Sequence, residues 1–151
     1  MTASRLRWLI FAQALVAMLG SLYFSNFGDP IDNLRLGVFW LYGYGFEPCQ
    51  LCWWARILMY PIVALSLVGA LKKAKDLHHY IVPLAIPGLL LEIYHYTLQK
   101  TNISNPFGCT GDNPCSAMSV NYAGFITIPL LCLTAFAIIL LLCWWHRKLT
   151  K

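Results

Sequence analysis

Long uncharged stretches constrain this chain more than any other feature of its sequence. Only 11% of its 151 residues are charged, whereas a soluble domain carries about 25%. No Asp, Glu, Lys or Arg occurs from Trp8 to Gly28, or between Asp112 and Arg147. An apolar helix of about 20 residues crosses a hydrocarbon core of about 30 Å. The sequence therefore excludes a soluble globule and predicts helices that span a membrane.

The distribution of these stretches predicts an all-α integral membrane protein, a four-helix transmembrane bundle that forms a single domain over residues 1–151. Arg5 and Arg7 precede the first span as in a signal peptide. The apolar residues before the small-residue site at Ala12 are too few for a signal, so we expect an uncleaved helix. The predicted spans are 8–28, 49–71, 80–98 and 118–145, and the predicted outer loops are 29–48 and 99–117.

The first outer loop contains the apolar stretch Asn33–Tyr42. Such a stretch is too hydrophobic to extend into water, and it favours a location among the lipid headgroups. We therefore predict a short interfacial segment in this loop. Prolines inside the predicted spans do not exclude helices, because neighbouring helices in a bundle can satisfy the freed carbonyl groups.

The positive charge of the chain, formally +5, is concentrated in three places that an even number of spans brings to one side. Basic residues near membrane helices mark the cytoplasmic side. We therefore expect both termini in the cytoplasm, no nucleic-acid partner, and membrane lipid around the bundle. The residues that carry this signal are Arg5, Arg7, Lys72, Lys73, Lys75, Arg147, Lys148 and Lys151.

The six cysteines divide into two groups on this topology. Cys49 and Cys52 open the second span, and Cys109 and Cys115 lie in the second outer loop. All four then face an extracytoplasmic, oxidising compartment, where cysteines form disulfides. The other two lie within the fourth predicted span and are interpreted as packing residues: Cys132 and Cys143.

The Cys-x-x-Cys pair stands where a helix N-terminus stabilises a thiolate through free backbone N–H groups. Cys52 and Arg56 are four residues apart, so they share one face of that helix. The guanidinium would lower the pKa of the thiol further. An arginine in a membrane helix is costly, which favours a functional role over simple snorkelling to the interface.

The loop pair of Cys109 and Cys115 admits three interpretations. These are a static structural disulfide, a redox disulfide, and half of a four-cysteine zinc site. The gap between the two cysteines and their outer location disfavour zinc, so we expect no metal. Two redox pairs form a relay that needs an electron acceptor. Because haem, flavin and iron–sulfur motifs are missing, a lipid-soluble quinone fits best.

The segment Pro48-Cys49-Gln50-Leu51-Cys52, with Arg56 on the same helix and a cysteine pair before the fourth span, resembles the DsbB family of bacterial disulfide bond formation proteins. The short gap between the loop cysteines is similar to the BdbC-type branch of Gram-positive bacteria. The resemblance implies a disulfide oxidase of the cytoplasmic membrane that supports disulfide formation in exported proteins. Its partner would be an extracytoplasmic DsbA-like thiol oxidase of the thioredoxin fold.

The resemblance also implies roles for individual residues. The partner attacks the loop disulfide at Cys109, and Cys115 passes the electrons to Cys49. Cys52 then faces the quinone, either menaquinone or ubiquinone. Arg56 matches the arginine that holds the quinone, and His95 matches a histidine near it, unless it is a hydrogen-bonded histidine of the bundle. On the same helix, Glu92 is expected to pair with His95 or Arg56.

Two alternatives stay open at this point. A protein similar to vitamin K epoxide reductase would also be a four-helix bundle with two outer cysteine pairs, although the pairs there occur in the reverse order. A non-enzymatic four-span scaffold would use the cysteines as structural disulfides. Formation of quinol from a quinone separates the oxidase from the scaffold.

Overall fold

The computed structural model describes residues 2–35, 45–101, 115–116 and 119–150. Within these ranges, every helix but the short α2 is long and apolar enough to cross a bilayer, which makes four candidate spans. The chain is thus an all-α four-helix transmembrane bundle, which confirms the predicted fold class. The helices are α1 (Ala3–Phe27), α2 (Pro30–Arg35), α3 (Gln50–Leu71), α4 (Leu77–Thr101) and α5 (Ile128–Thr150).

The start of α5 differs from the predicted span, which begins at residue 118. The residues before Ile128 form a turn that is closed by a bridge between Tyr122 and Ile126. Within this turn Ala123 and Gly124 have φ angles of 52° and 80°. A left-handed backbone cannot continue a right-handed helix. The absence of charge therefore extends further along the chain than the helix does.

The predicted interfacial segment Asn33–Tyr42 lies only partly within the described residues. Helix α2 (Pro30–Arg35) covers its beginning, and residues 36–44 lie outside the description. At the other end of α1, the Thr2 side chain accepts a hydrogen bond from the Arg5 backbone N–H. This N-cap lets α1 begin before the predicted boundary at Trp8.

The four long helices pack as a closed ring. Helix α1 contacts α3 and α5, and α4 also contacts α3 and α5. The side chains that meet inside the ring form one hydrophobic core, the core cluster. Its buried members are Ile10, Ala14, Met59, Ile62, Leu77, Ile81, Ala85, Ala135, Phe136, Ile139 and Cys143.

One close approach between α4 and α5 depends on a glycine. A Cβ atom at Gly88 would overlap the Phe136 ring, which is fully buried. Gly88 also follows Pro87 in the middle of α4, where both residues disfavour a helix in water. Small residues let membrane helices pack closely. At this position the glycine lowers the intrinsic helix propensity of α4 but allows close packing against α5.

The outward faces of the helices are as apolar as the core. Leu141 is 65% exposed and Ile139 is fully buried, although they are two residues apart on α5. A helix that is hydrophobic on every side fits a lipid environment rather than water. The exposed residues at the helix ends include Trp8, Trp53, Trp54, Trp144 and Trp145, and tryptophan is enriched at membrane interfaces.

The two ends of the bundle differ in composition. A backbone hydrogen bond of 2.9 Å from Phe46 to Phe24 joins the segment before α3 to the end of α1. We call this the cysteine end, which holds Cys49, Cys52 and Cys115. At the opposite end, the rings of His78 and His146 lie 6.4 Å apart. This basic end holds Arg5, Arg7, Lys72, Lys73, Lys75, Arg147 and Lys148.

Candidate active site

The Cys-x-x-Cys pair forms the N-terminus of α3. Cys49 is the N-cap, and its sulfur accepts a hydrogen bond of 3.4 Å from the Cys52 backbone N–H. The two Sγ atoms lie 3.0 Å apart, and both residues are free thiols. The first turn of the helix thus brings the pair into contact, as the spacing predicts.

The surroundings of Cys49, which lies just before the membrane-spanning part of α3, favour its thiolate. A hydrogen bond from the Cys52 thiol lowers the pKa of the Cys49 thiol, and the neighbouring His95 lowers it further, whereas burial opposes both effects. The backbone N–H at the start of the helix contributes in the same direction. These contacts therefore favour the ionised form of Cys49.

Arg56 lies on α3, but its guanidinium donates its hydrogen bonds to α1. Its Nε donates to Ser21 Oγ at 2.9 Å, and its Nη2 donates to the Ser21 carbonyl oxygen at 3.1 Å and to Ser25 Oγ. Its Cζ lies 5.2 Å from the centre of the Trp53 ring. The sequence singles out Arg56 but not the two serines, whose i,i+4 spacing in an apolar run puts them on one face of α1.

His95 connects the thiol pair to a buried carboxylate. Its Nε2 lies 3.6 Å from Cys49 Sγ, and its Nδ1 lies 3.6 Å from Glu92 Oε2. His95 and Glu92 are each only 1% exposed. Of the two partners considered for Glu92, the structure therefore selects His95. Among the described residues, Glu92 and Arg56 do not form an ion pair with each other.

Cys115, from the second predicted outer loop, lies close to the thiol pair. It is disulfide-bonded and 2% exposed. It packs in a small cluster with Leu51 and Leu98, and Cys49 borders the same cluster. The structure thus brings one cysteine of the loop pair next to the helix pair. Cys109 lies outside the described residues, so its predicted role stays a prediction.

A cavity opens between the helices at the cysteine end. Its empty space, including the open mouth, is about 870 Å³. Most of its wall is apolar, and its polar and thiol side chains come from all four long helices. Its lining residues include Ser21, Ser25, Glu47, Cys49, Cys52, Arg56, Tyr60, Glu92, His95 and Cys132.

The two cysteines of α5 have different environments. Cys143 is fully buried in the core cluster, as expected for a packing residue. Cys132 lines the cavity instead, as a free thiol. The apolar run around the two cysteines does not show which helix face meets the cavity. For this reason the sequence predicts a packing role for both.

The site also has the atoms of a partial metal site. The ligand atoms of Cys49, Cys52 and His95 lie within 4.8 Å of one another. Two thiolates and an imidazole suit Zn²⁺, but a closed structural site needs a fourth ligand. This set differs from the four-cysteine site considered from the sequence, because it uses His95 in place of the loop cysteines.

Comparison with known proteins identifies the family. The family model for disulfide bond formation protein DsbB matches residues 34–146. Disulfide bond formation protein C of Bacillus subtilis is 40% identical over 129 residues, which cover 85% of this chain and 82% of that protein. A probable disulfide formation protein C of Halalkalibacterium halodurans is 39% identical over 127 residues, covering 83% and 81%.

A third relative extends the match. A probable disulfide formation protein of Oceanobacillus iheyensis is 38% identical over 149 residues, which cover 93% of this chain and 87% of that protein. No solved structure matches the chain. The family model covers α3, α4 and most of α5, the three helices that supply the thiols, His95 and Glu92. The chain belongs to the DsbB family of disulfide bond formation proteins and is similar to its C-type members from Bacillus and related bacteria.

Proposed function

We propose that the chain is a thiol:quinone oxidoreductase of the bacterial cytoplasmic membrane. It would reoxidise an extracytoplasmic, DsbA-like thiol oxidase of the thioredoxin fold and so sustain disulfide formation in exported proteins. The observation that carries this proposal is the free Cys49–Cys52 pair at the start of a membrane-spanning helix, in the wall of a cavity between the helices. A hydrophobic electron acceptor from the bilayer can meet the thiols there.

The cavity offers hydrogen-bond donors that suit a quinone. The Tyr60 hydroxyl is buried in the cavity wall and has no hydrogen-bond partner among the described residues. An unpartnered buried hydroxyl is costly, and a ligand oxygen would satisfy it. Arg56 adds a charged donor group that Ser21 and Ser25 hold in place. A quinone presents two carbonyl oxygens that such donors can bind.

Each residue has a distinct proposed task. A bound quinone, menaquinone or ubiquinone, supplies the capacity to accept two electrons and two protons. Arg56 and Tyr60 would bind and orient it, and the apolar wall would exclude water. Cys49 and Cys52 would lose their thiol hydrogens and form a disulfide. His95, next to Cys49 Sγ, would accept the thiol proton.

The position of Cys115 supports transfer of electrons from the loop to the helix pair. In the proposed cycle the partner's thiolate attacks the loop disulfide at Cys109, and the partner leaves in oxidised form. The released Cys115 thiolate attacks the Cys49–Cys52 disulfide, which becomes a dithiol while the loop disulfide forms again. Cys115 packs in the cluster that Cys49 borders, which supports this route.

The proposed orientation follows from the charged end of the bundle. The basic end would face the cytoplasm, which places both termini there and the cysteine end outside. Labelling with a membrane-impermeant maleimide tests this sidedness in intact cells. We expect labelling of Cys109 after reduction and none at a cysteine introduced beside Lys148. The reverse pattern would overturn the topology.

Quinol formation tests the function itself. Purified protein is mixed with a reduced thioredoxin-fold partner and menaquinone-4, and quinol is followed by its absorbance without oxygen. We expect one quinol for each partner disulfide that forms, and no quinol with the Cys49→Ala variant. A structural scaffold would yield no quinol with the native chain, and that result would overturn the proposal.

A further inference from the structure

A buried carboxylate next to the thiols has no assigned task. Glu92 Oε2 faces His95 Nδ1 at 3.6 Å, and neither atom has a hydrogen-bond partner among the described residues. The other ring nitrogen, Nε2, lies 3.6 Å from Cys49 Sγ. Carboxylate, imidazole and thiol therefore form a line across α4 and the start of α3.

Burial inside a membrane span makes a carboxylate with a purely structural role energetically unfavourable. Glu92 is 1% exposed and lies within a span of the bundle, and the Arg56 guanidinium in the same cavity wall forms its hydrogen bonds with α1. Ionisable residues inside membrane spans are rare and mark functional sites. The titratable and charged groups around Glu92 are His95 on α4, Cys49, Cys52 and Arg56 on the α3 side, and Cys132 on α5.

We propose that Glu92 is a positioning residue that acts through His95. Its carboxylate faces Nδ1 and selects the tautomer with hydrogen on that atom, so that Nε2 can accept the proton of Cys49. Once His95 is protonated, the negative charge of Glu92 stabilises it. The same logic orients the base in other nucleophile–histidine–carboxylate arrangements. The role of Glu92 in turnover rests on the proposed function, whereas the experiment that tests the positioning of His95 does not.

The proton and electron balance assigns Glu92 a limited part. Formation of the Cys49–Cys52 disulfide breaks two S–H bonds and makes one S–S bond, which releases two electrons and two protons to the quinone. His95 would carry the Cys49 proton on its way out. Glu92 neither accepts electrons nor touches the reacting sulfur.

The test measures the reactivity of Cys49 without any quinone. In a chain with Cys109→Ser and Cys115→Ser, reduced and freed of quinone, Cys49 is alkylated with iodoacetamide from pH 3 to 10, and the modified peptide is followed by mass spectrometry. We expect Glu92→Gln to slow alkylation of Cys49 about tenfold at pH values below the pKa of this thiol, because a rise of one pKa unit makes thiolate about tenfold scarcer there. Glu92→Asp, which keeps the charge, should recover part of the rate.

The sign of the effect separates this role from a simple charge effect. Removal of a nearby negative charge alone would favour the Cys49 thiolate and accelerate alkylation. The control Glu47→Gln removes another carboxylate from the cavity wall and should leave the rate unchanged or raise it. In a His95→Gln background, Glu92→Gln should have no further effect, because the two residues act as one unit.

Failures of the two proposals are distinguishable. An unchanged or faster alkylation of Cys49 in Glu92→Gln would overturn the positioning role, even if the native chain forms quinol. Slower alkylation in a native chain that forms no quinol would uphold the positioning role and overturn the proposed function. An additive effect of Glu92→Gln in the His95→Gln background would also contradict action through His95.

Discussion

The core cluster and the cavity occupy the same ring of helices but differ in composition. The core cluster is hydrophobic, whereas the cavity wall contains polar and charged side chains. In the core cluster, Gly88 admits the ring of Phe136, and every buried member is hydrophobic. In the cavity, thiols, His95 and Glu92 converge and leave open space. Phe136 and Met59 belong to both regions and form the boundary between them. The comparison shows a closely packed frame that holds a reactive site open beside it.

Cysteine substitutions should give the largest difference between the two regions. Cys52→Ser removes a thiol of the cavity, and we expect quinol formation to fall to the background rate because no helix disulfide can form. Cys143→Ala removes a thiol of the core cluster and should retain turnover. Both rates are measured with reduced partner and quinone in excess. Turnover that survives Cys52→Ser would break the functional distinction.

Arg56→Met tests the charged donor of the cavity. A hydrogen bond to a charged group contributes about 1.5–3 kcal/mol, so we expect the KM for quinone to rise about tenfold to a hundredfold. Ser66→Ala is the matched control, because Ser66 lies on the same helix, outside the cavity lining, and bonds to the Val63 carbonyl oxygen. Quinone kinetics that stay the same in Arg56→Met would remove Arg56 from the proposed site.

Gly88→Ala tests the packed region. Its new methyl group would overlap the Phe136 ring, and overpacking of this kind costs about 1–3 kcal/mol of unfolding free energy. Thermal unfolding in detergent should show the loss. Gly20→Ala is the control, since nothing lies within 4 Å of a Cβ there, and it should stabilise α1 by about 0.5–1 kcal/mol. Equal melting temperatures for both variants would contradict the close packing.

Tyr60→Phe should have the smallest effect and separates stability from binding. The hydroxyl has no partner among the described residues, so its removal should leave the melting temperature unchanged or higher. If it donates to a quinone oxygen, its loss costs about 0.5–1.5 kcal/mol of binding, which raises the KM for quinone about twofold to tenfold. A lower melting temperature with an unchanged KM would reverse this assignment.

Much of the fold could be predicted because charge is so scarce in this chain. The uncharged runs predict the four spans, and the Cys-x-x-Cys spacing predicts the contact at the start of α3. The start of α5 could not be predicted in this way, because the turn at Ala123 and Gly124 is as free of charge as the helix that follows it.

The contacts across the site depend on how helices face each other. Nothing in a single sequence states that Arg56 meets Ser21 and Ser25 on α1, or that Cys132 faces the cavity while Cys143 faces the core. Both facts follow from the rotation of whole helices about their axes. Apolar residues on every side of each helix erase the periodicity that would otherwise reveal this rotation.

The central claim is that the Cys49–Cys52 pair delivers its electrons to a quinone. A single turnover of the Cys109→Ser/Cys115→Ser chain tests it most directly, because no partner or loop disulfide takes part. The reduced protein is mixed with menaquinone-4 without oxygen, and thiols and quinol are counted together. We predict one quinol for each chain, with loss of two thiols and a disulfide between Cys49 and Cys52. Quinol without loss of those thiols, or loss of thiols without quinol, would contradict the claim.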